Sequence, residues 1–181
     1  MLDVAERLAQ SRGFNAFSYA DVAAELGVPR AALHYHFAGK AELGEALLAR
    51  YAARFADALD AIDAEPMGAP AKLAAYADLY LDLLRRDQMC LCGMLAADYQ
   101  TLPERMQCLI VRFFNDHETW LTKILGQGEH EATIHIRESA DEVARTIVMT
   151  LEGALLVARP FHDTARFQAA ATSLVTRLTS K

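Results

Sequence analysis

Residues 17–40, FSYADVAAELGVPRAALHYHFAGK, constrain this chain more than any other segment of it. Ser18 is placed to accept from the amides of a helix's first turn, and Asp21 three residues on is a short capping-box partner. Val22, Ala23 and Leu26 follow at helical spacing and give that helix one apolar face. Gly27 comes after the last apolar position, where a left-handed residue closes a helix and only glycine does so without a Cβ penalty. Val28 turns the chain back to the core, and Pro29 suits the first position of a new helix, where an N–H would go unpaired anyway. The second helix, Arg30 to His36, is about two turns long. It buries Leu33 with Phe37 and leaves Arg30, His34, Tyr35 and His36 projecting, while Ala31 and Ala32 are small enough for close approach. Two short helices joined in this way form a helix-turn-helix, which lays its second helix in the DNA major groove. Ala38-Gly39 ends the second helix, and Lys40 opens the next, where a cation beside free amides suits a phosphate.

The same residues carry a resemblance. Gly13-Phe14, Ser18, Val22-Ala23, Leu26-Gly27-Val28, Leu33, His36-Phe37 and Lys40-x-x-Leu43 agree in type and spacing with the DNA-binding signature of TetR-family transcriptional regulators. The match spans about the first fifty residues. It implies that Arg30 to His36 form the recognition helix, that Lys40 grips a phosphate and that Ser18 and Tyr19 touch the DNA backbone. The implied DNA-binding set is Ser18, Tyr19, Arg30, Ala31, Ala32, His34, Tyr35, His36 and Lys40. Two departures stand out: the order His34-Tyr35, where the family commonly places Tyr first, and Pro29 and Ala32, where it commonly places Ser or Thr.

Beyond the motif the pattern is helical throughout, so an all-α fold is expected: an N-terminal three-helix helix-turn-helix domain (1–46) followed by a larger helical ligand-binding and dimerisation domain (47–181). Leu2 to Arg12 reads as the first helix. From Lys40, Leu43, Leu47, Tyr51, Phe55, Leu59 and Ile62 form one long stripe, which suggests a connecting rod. Pro66, Gly68 and Pro70 mark the clear break. Helices are expected over 71–86, in a short stretch within 90–99, and over 103–125, the last ended by Gly126 and Gly128 with a loop over 129–136. Two more follow over 139–159 and 161–179.

Those last two helices suit an intermolecular four-helix bundle, and the resemblance implies the same dimer. The expected interface is Val143, Ile147, Leu151, Gly153, Leu155, Phe167, Ala171, Leu174 and Leu178. A dimer also places two recognition helices about 34–36 Å apart on a palindromic double-stranded operator. The resemblance further implies a small-molecule inducer, and polar or soft groups on apolar helices are its candidate ligands: Cys90, Cys92, Met94, His117, Trp120, Met149 and Glu152.

Charge and cysteines bound the alternatives. The net charge is −6, and Arg7, Arg12, Arg30, Lys40 and Arg50 in the first fifty residues are outnumbered by six carboxylates, so DNA affinity must be local and shared between two half-sites. Three cysteines, an odd number, do not suit a disulfide framework, and the alternative reading is a thiol near Arg85-Arg86 that senses oxidants or electrophiles. A regulator that has lost DNA binding and serves as a ligand-binding adaptor is the other alternative. No Glu-x-x-His pair, zincin motif, phosphate loop or nucleophile elbow is present, so no catalytic residue, cofactor or metal is expected. No stretch approaches the ~20 apolar residues of a membrane span, and a cytoplasmic location is expected.

Overall fold

A computed structural model describes residues 1–180, and its described residues contain helices and no strand. The helices are α1 (Leu2–Arg12), α2 (Tyr19–Leu26), α3 (Arg30–His36), α4 (Lys40–Ala64), α5 (Ala69–Arg85), α6 (Leu91–Ala97), α7 (Glu104–His130), α8 (Ala140–Ala158) and α9 (Thr164–Thr179), with single 3-10 turns at Phe14–Ala16, Tyr99–Thr101 and Arg159–Phe161. None of these helices is long and apolar enough to cross a membrane. The all-α class and the N-terminal helix-turn-helix are as the sequence leads one to expect. The chain divides into two compact units, residues 1–55 with 88–113 and residues 56–87 with 114–180.

In the first unit, Ala5, Leu8 and Ala9 of α1 are buried with Phe14, Phe17, Val22, Leu33, Leu43 and Leu47. Phe14 and Phe17 meet edge to face with ring centroids 5.8 Å apart. The half of the α4 stripe that lies here continues through Tyr51 and Phe55, which pack against Phe113 at 5.6 and 5.5 Å. Glu6 of α1 is nearly fully buried, and Arg50 and Arg54 of α4 bind its carboxylate, with Arg50 also 2.7 Å from Asp3. A buried carboxylate needs such partners to remain charged.

In the second unit, α5 packs against α8 and α9, and α8 against α9. Its core is Leu73, Tyr76, Tyr80, Leu121, Ile124, Leu151, Leu155 and Phe167. Ser139 and Asp163 cap α8 and α9, Ser139 through a full capping box with Glu142. The loop before α8 is tied to the far end of α9 by the His135 amide, which donates to the Leu178 carbonyl at 2.7 Å. Lys72 is buried and donates to Asp63 at 2.8 Å, and Lys123 reaches the other oxygen of the same carboxylate at 2.5 Å. Those two ammonium groups hold the Asp63 carboxyl below its ordinary range.

One boundary differs from expectation. α7 does not stop at Gly126 and Gly128 but runs on to His130. Gly128 is there for space: a Cβ on it would lie 2.5 Å from Ile134 Cδ1 and 2.9 Å from Ala69 Cβ, whereas one on Gly126 would meet nothing within 4 Å. The two glycines therefore predict opposite outcomes. Gly126→Ala should stabilise by up to about 1 kcal/mol through helix propensity. Gly128→Ala should destabilise by about 1–2 kcal/mol, because overpacking outweighs the same gain. Urea midpoints of the two variants check the pair, and a stabilised Gly128→Ala would refute the packing explanation.

Candidate nucleic-acid interface

The helix-turn-helix is built by local chemistry before any tertiary contact. The Ser18 hydroxyl accepts from the Asp21 amide at 3.4 Å and donates to the Asp21 carboxylate at 2.6 Å, and that carboxylate takes the Ser18 amide at 2.7 Å. The reciprocal bonds close the capping box of α2 and hold the Asp21 carboxyl below its ordinary value. At the other end Gly27 sits at φ 66°, ψ 30°, and its amide returns to the Ala23 and Ala24 carbonyls. Pro29 then leads into α3.

α3 is seven residues long and buries one side chain fully, Leu33. Arg30, Ala31, His34, Tyr35 and His36 are exposed, and Ala32 is half-buried. Tyr35 is 88% exposed, an extreme for an aromatic residue and far beyond what packing requires. The His34 ring lies against Tyr19 at 4.8 Å, and Tyr35 meets His36 edge on at 5.4 Å.

Two residues expected at the DNA backbone are engaged elsewhere. Tyr19 is buried, and its hydroxyl donates to the Phe37 carbonyl at 3.2 Å, joining the start of α2 to the end of α3. Burial, with Glu42 nearby, pushes its phenol up. Lys40 is half-buried, and its ammonium donates to the carbonyls of Phe14 and Phe17. It also lies over both rings, 4.7 and 4.5 Å from their centroids. Burial pulls its ammonium below the ordinary value, against the opposing pull of Asp21 and Asp98. Ser18 is exposed, but its hydroxyl already serves the cap.

Of the inducer candidates, Cys90, Cys92 and Met94 lie in the first unit and His117, Trp120, Met149 and Glu152 in the second. Cys90 and Cys92 are fully buried, and Cys90 Sγ accepts from the Gly93 amide at 3.5 Å, which makes it the cap of α6. Neither thiol is accessible to solvent, whereas oxidants act on accessible thiolates. Cys108 is exposed in an open cleft with Glu45, Arg105 and Arg112. Met149 is 66% exposed, and Glu152 is half-buried.

His117 and Trp120 do come together, around Tyr76. The Tyr76 hydroxyl lies 3.0 Å from both Tyr80 Oη and His117 Nδ1, and the Trp120 ring stacks on Tyr76 at 5.6 Å. Burial drives the His117 imidazole down to about 3, so it is neutral at physiological pH.

Most of the residues expected at a dimer face point into the unit itself. Val143, Ile147, Leu151, Leu155, Phe167, Ala171 and Leu178 are buried inside the unit, and Leu174 is half-buried. Only Gly153 of the nine is exposed. α8 carries a second apolar stripe, and that one faces out: Met149, Leu156 and Val157, with Phe161 just beyond, are 66%, 62%, 59% and 57% exposed. Their i, i+4, i+7 spacing through Gly153 was available in the sequence, but periodicity does not say which of two stripes a monomer keeps.

Comparison with known proteins finds two family profiles along the chain. A family profile described as bacterial regulatory proteins, tetR family, matches residues 1–47. A second, described as tetracyclin repressor-like, C-terminal domain, matches residues 69–174. A TetR transcriptional regulator from Legionella pneumophila shares 31% identity and a TM-score of 0.89, covering 98% of this chain and 94% of that one. A TetR-family transcriptional regulator from Agrobacterium tumefaciens shares 27% identity and a TM-score of 0.95, over 99% and 95%. The regulatory protein TetR from Rhodobacter sphaeroides, at 18% identity, shows the fold alone, with a TM-score of 0.90 over 98% and 96%. Curated proteins compared by sequence return no match.

The buried imidazole predicts an acid sensitivity. Below pH 6.5 the unfolded chain takes up a proton on His117 that the folded protein refuses until about pH 3, so stability falls through that window. By pH 5 this one group should cost about 2 kcal/mol. The urea midpoint should therefore drop more between pH 7 and 5 for the wild type than for His117→Gln, and equal drops would contradict the assignment.

Proposed function

The chain belongs to the TetR family of bacterial transcriptional regulators, and on that premise we propose that it is a dimeric repressor of a palindromic operator, released by a small-molecule inducer. Residues 1–46 read DNA and residues 47–181 bind the inducer and the second subunit. The observation that carries the reading is α3 itself, a helix with five of seven side chains exposed and Tyr35 almost fully so. Arg30, His34, Tyr35 and His36 supply donors to base edges or phosphates, and Ala31 and Ala32 let the backbone approach. Few other cations in this region are available to DNA: Arg7 pairs with Glu25, Arg50 with Asp3 and Glu6, and Lys40 with backbone carbonyls. Single-site affinity is accordingly weak, and two half-sites must be bound together.

The dimer face is the outer stripe of α8, Met149, Gly153, Leu156 and Val157, continued by Phe161. Ala165, Ala169 and Ser173 form an exposed row of small residues on α9. Large side chains on one helix and small ones on its neighbour suit a bundle completed by a two-fold copy. The inducer contacts are drawn from His117, Trp120 and Glu152, with Cys90, Cys92 and Met94 as further candidates. The thiol-sensing alternative narrows to Cys108, the one exposed cysteine.

Selection of genomic fragments by the purified protein tests the reading directly, with a palindrome expected and no enrichment refuting DNA recognition. Against the recovered operator, Arg30→Ala and Tyr35→Ala should each weaken binding by about 1–3 kcal/mol if they touch bases, with relaxed preference at the contacted position. Leu156→Glu should convert the dimer to monomer in sedimentation and lower operator affinity with it. A Leu156→Glu dimer of unchanged strength would place the interface elsewhere.

A further inference from the structure

We propose that Lys40 is a positioning residue of the DNA reader, setting α2 and α3 from the first turn of α4, and is not one of its phosphate ligands. The inference rests on the reading of α3 as a DNA-recognition helix. Two of the three ammonium protons of Lys40 are committed, to the carbonyls of Phe14 and Phe17, and the cation also lies within cation–π distance of both residues' rings. An ammonium that leaves this nest for a phosphate gives up two charge-assisted hydrogen bonds and two cation–π contacts for one ion pair at the protein surface.

What the nest holds explains why a cation is there. Phe14 opens the 3-10 turn after α1, and Phe17 is the extended residue directly before the Ser18 cap of α2. Asn15, between them, also donates to Thr101 at 2.9 Å, so the connector is pinned at two places. The next residue after the cap, Tyr19, reaches across to the Phe37 carbonyl at the end of α3 and lies tilted against the His34 ring. The path therefore runs from Lys40 to Phe17, along the chain to Tyr19, and from its side chain to His34 and the C-terminal end of α3. On the same first turn of α4, Glu42 accepts from the Ala38 amide at 2.9 Å and fixes the short link between α3 and α4. Lys40 is the point at which α4 grips the segment that sets the angle of the reader.

Binding measured against salt separates the two roles. Wild type, Lys40→Met and Phe17→Leu are titrated with the selected operator and with a scrambled duplex, at a temperature where circular dichroism shows each protein folded. For Lys40→Met, which keeps the apolar stem, the operator affinity should fall at least tenfold. The slope of log K against log salt and the affinity for scrambled DNA should stay as in wild type. A phosphate ligand would instead lower the slope by about 0.9 and weaken both duplexes alike, and that result overturns the proposal. So does a Lys40→Met protein with unaltered operator affinity. Phe17→Leu removes one ring and keeps the carbonyl, so a smaller loss at unchanged slope is expected, and it carries the test if Lys40→Met does not fold. Unaltered operator affinity in Phe17→Leu also counts against the proposal. A wild type with no affinity for either duplex overturns the DNA reading and this inference together, whereas a changed slope in a binding-competent series overturns the inference alone.

Discussion

Seven residues make a poor helix in water, because nucleation costs more than so few hydrogen bonds return. α3 has that length, lacks a side-chain cap at its start, and exposes five of its residues. It is held by its surroundings: Leu33 in the core, Gly27 and Pro29 fixing its entry, and the Tyr19 hydroxyl closing on its exit at Phe37. Much of the first unit can be understood as the apparatus for this. α1 packs on α2, the first turn of α4 holds the Phe14–Phe17 connector that leads into α2, and Glu6 with Arg50 and Arg54 locks α1 to α4. A surface that must stay polar and accessible cannot contribute to its own folding, so its neighbours supply what it lacks.

The second unit solves a different problem, that of keeping polar groups inside. Tyr76, Tyr80 and His117 bond to one another in a row, and the imidazole stays neutral because burial would strip the water from a charge there. Asp63 with Lys72 and Lys123 takes the other course, keeping its charges and pairing them near the surface end of the helices. The first arrangement is sensitive to acid near pH 6 and the second only at the lower pH where carboxylates take up protons.

Local chemistry was legible in the sequence and choice of partner was not. Ser18 with Asp21 and Gly27 each act within a few residues and occupy the places their types suggest, and Pro29 sits one residue earlier than expected, as the N-cap of α3. α3 could be delimited from sequence for the same reason. The reversal at α8 is of another kind. Val143, Ile147, Leu151 and Leu155 form the cleaner stripe, which is why they seemed the better interface, and why the monomer keeps them. Gly128 misled because glycine ends helices and also permits close approach, and only the position of Ile134 and Ala69 distinguishes the two. Cys90 and Cys92 show the same ambiguity, their neighbours in sequence suggesting reactivity and their burial removing it. Lys40 looked like a surface cation because it opens a helix beside free amides, but its partners lie more than twenty residues earlier.

The stacked indole on Tyr76 gives the molecule an optical asymmetry. Trp120 is the only tryptophan in the chain, and it lies in the second unit. Its emission therefore reports the packing of that unit and carries no direct signal from α1, α2 or α3, whereas far-ultraviolet dichroism weighs every helix. Superimposable melting curves by the two methods would mean that the units unfold as one cooperative block. A dichroism change that precedes the fluorescence change would mean that the reader loosens while the body remains intact.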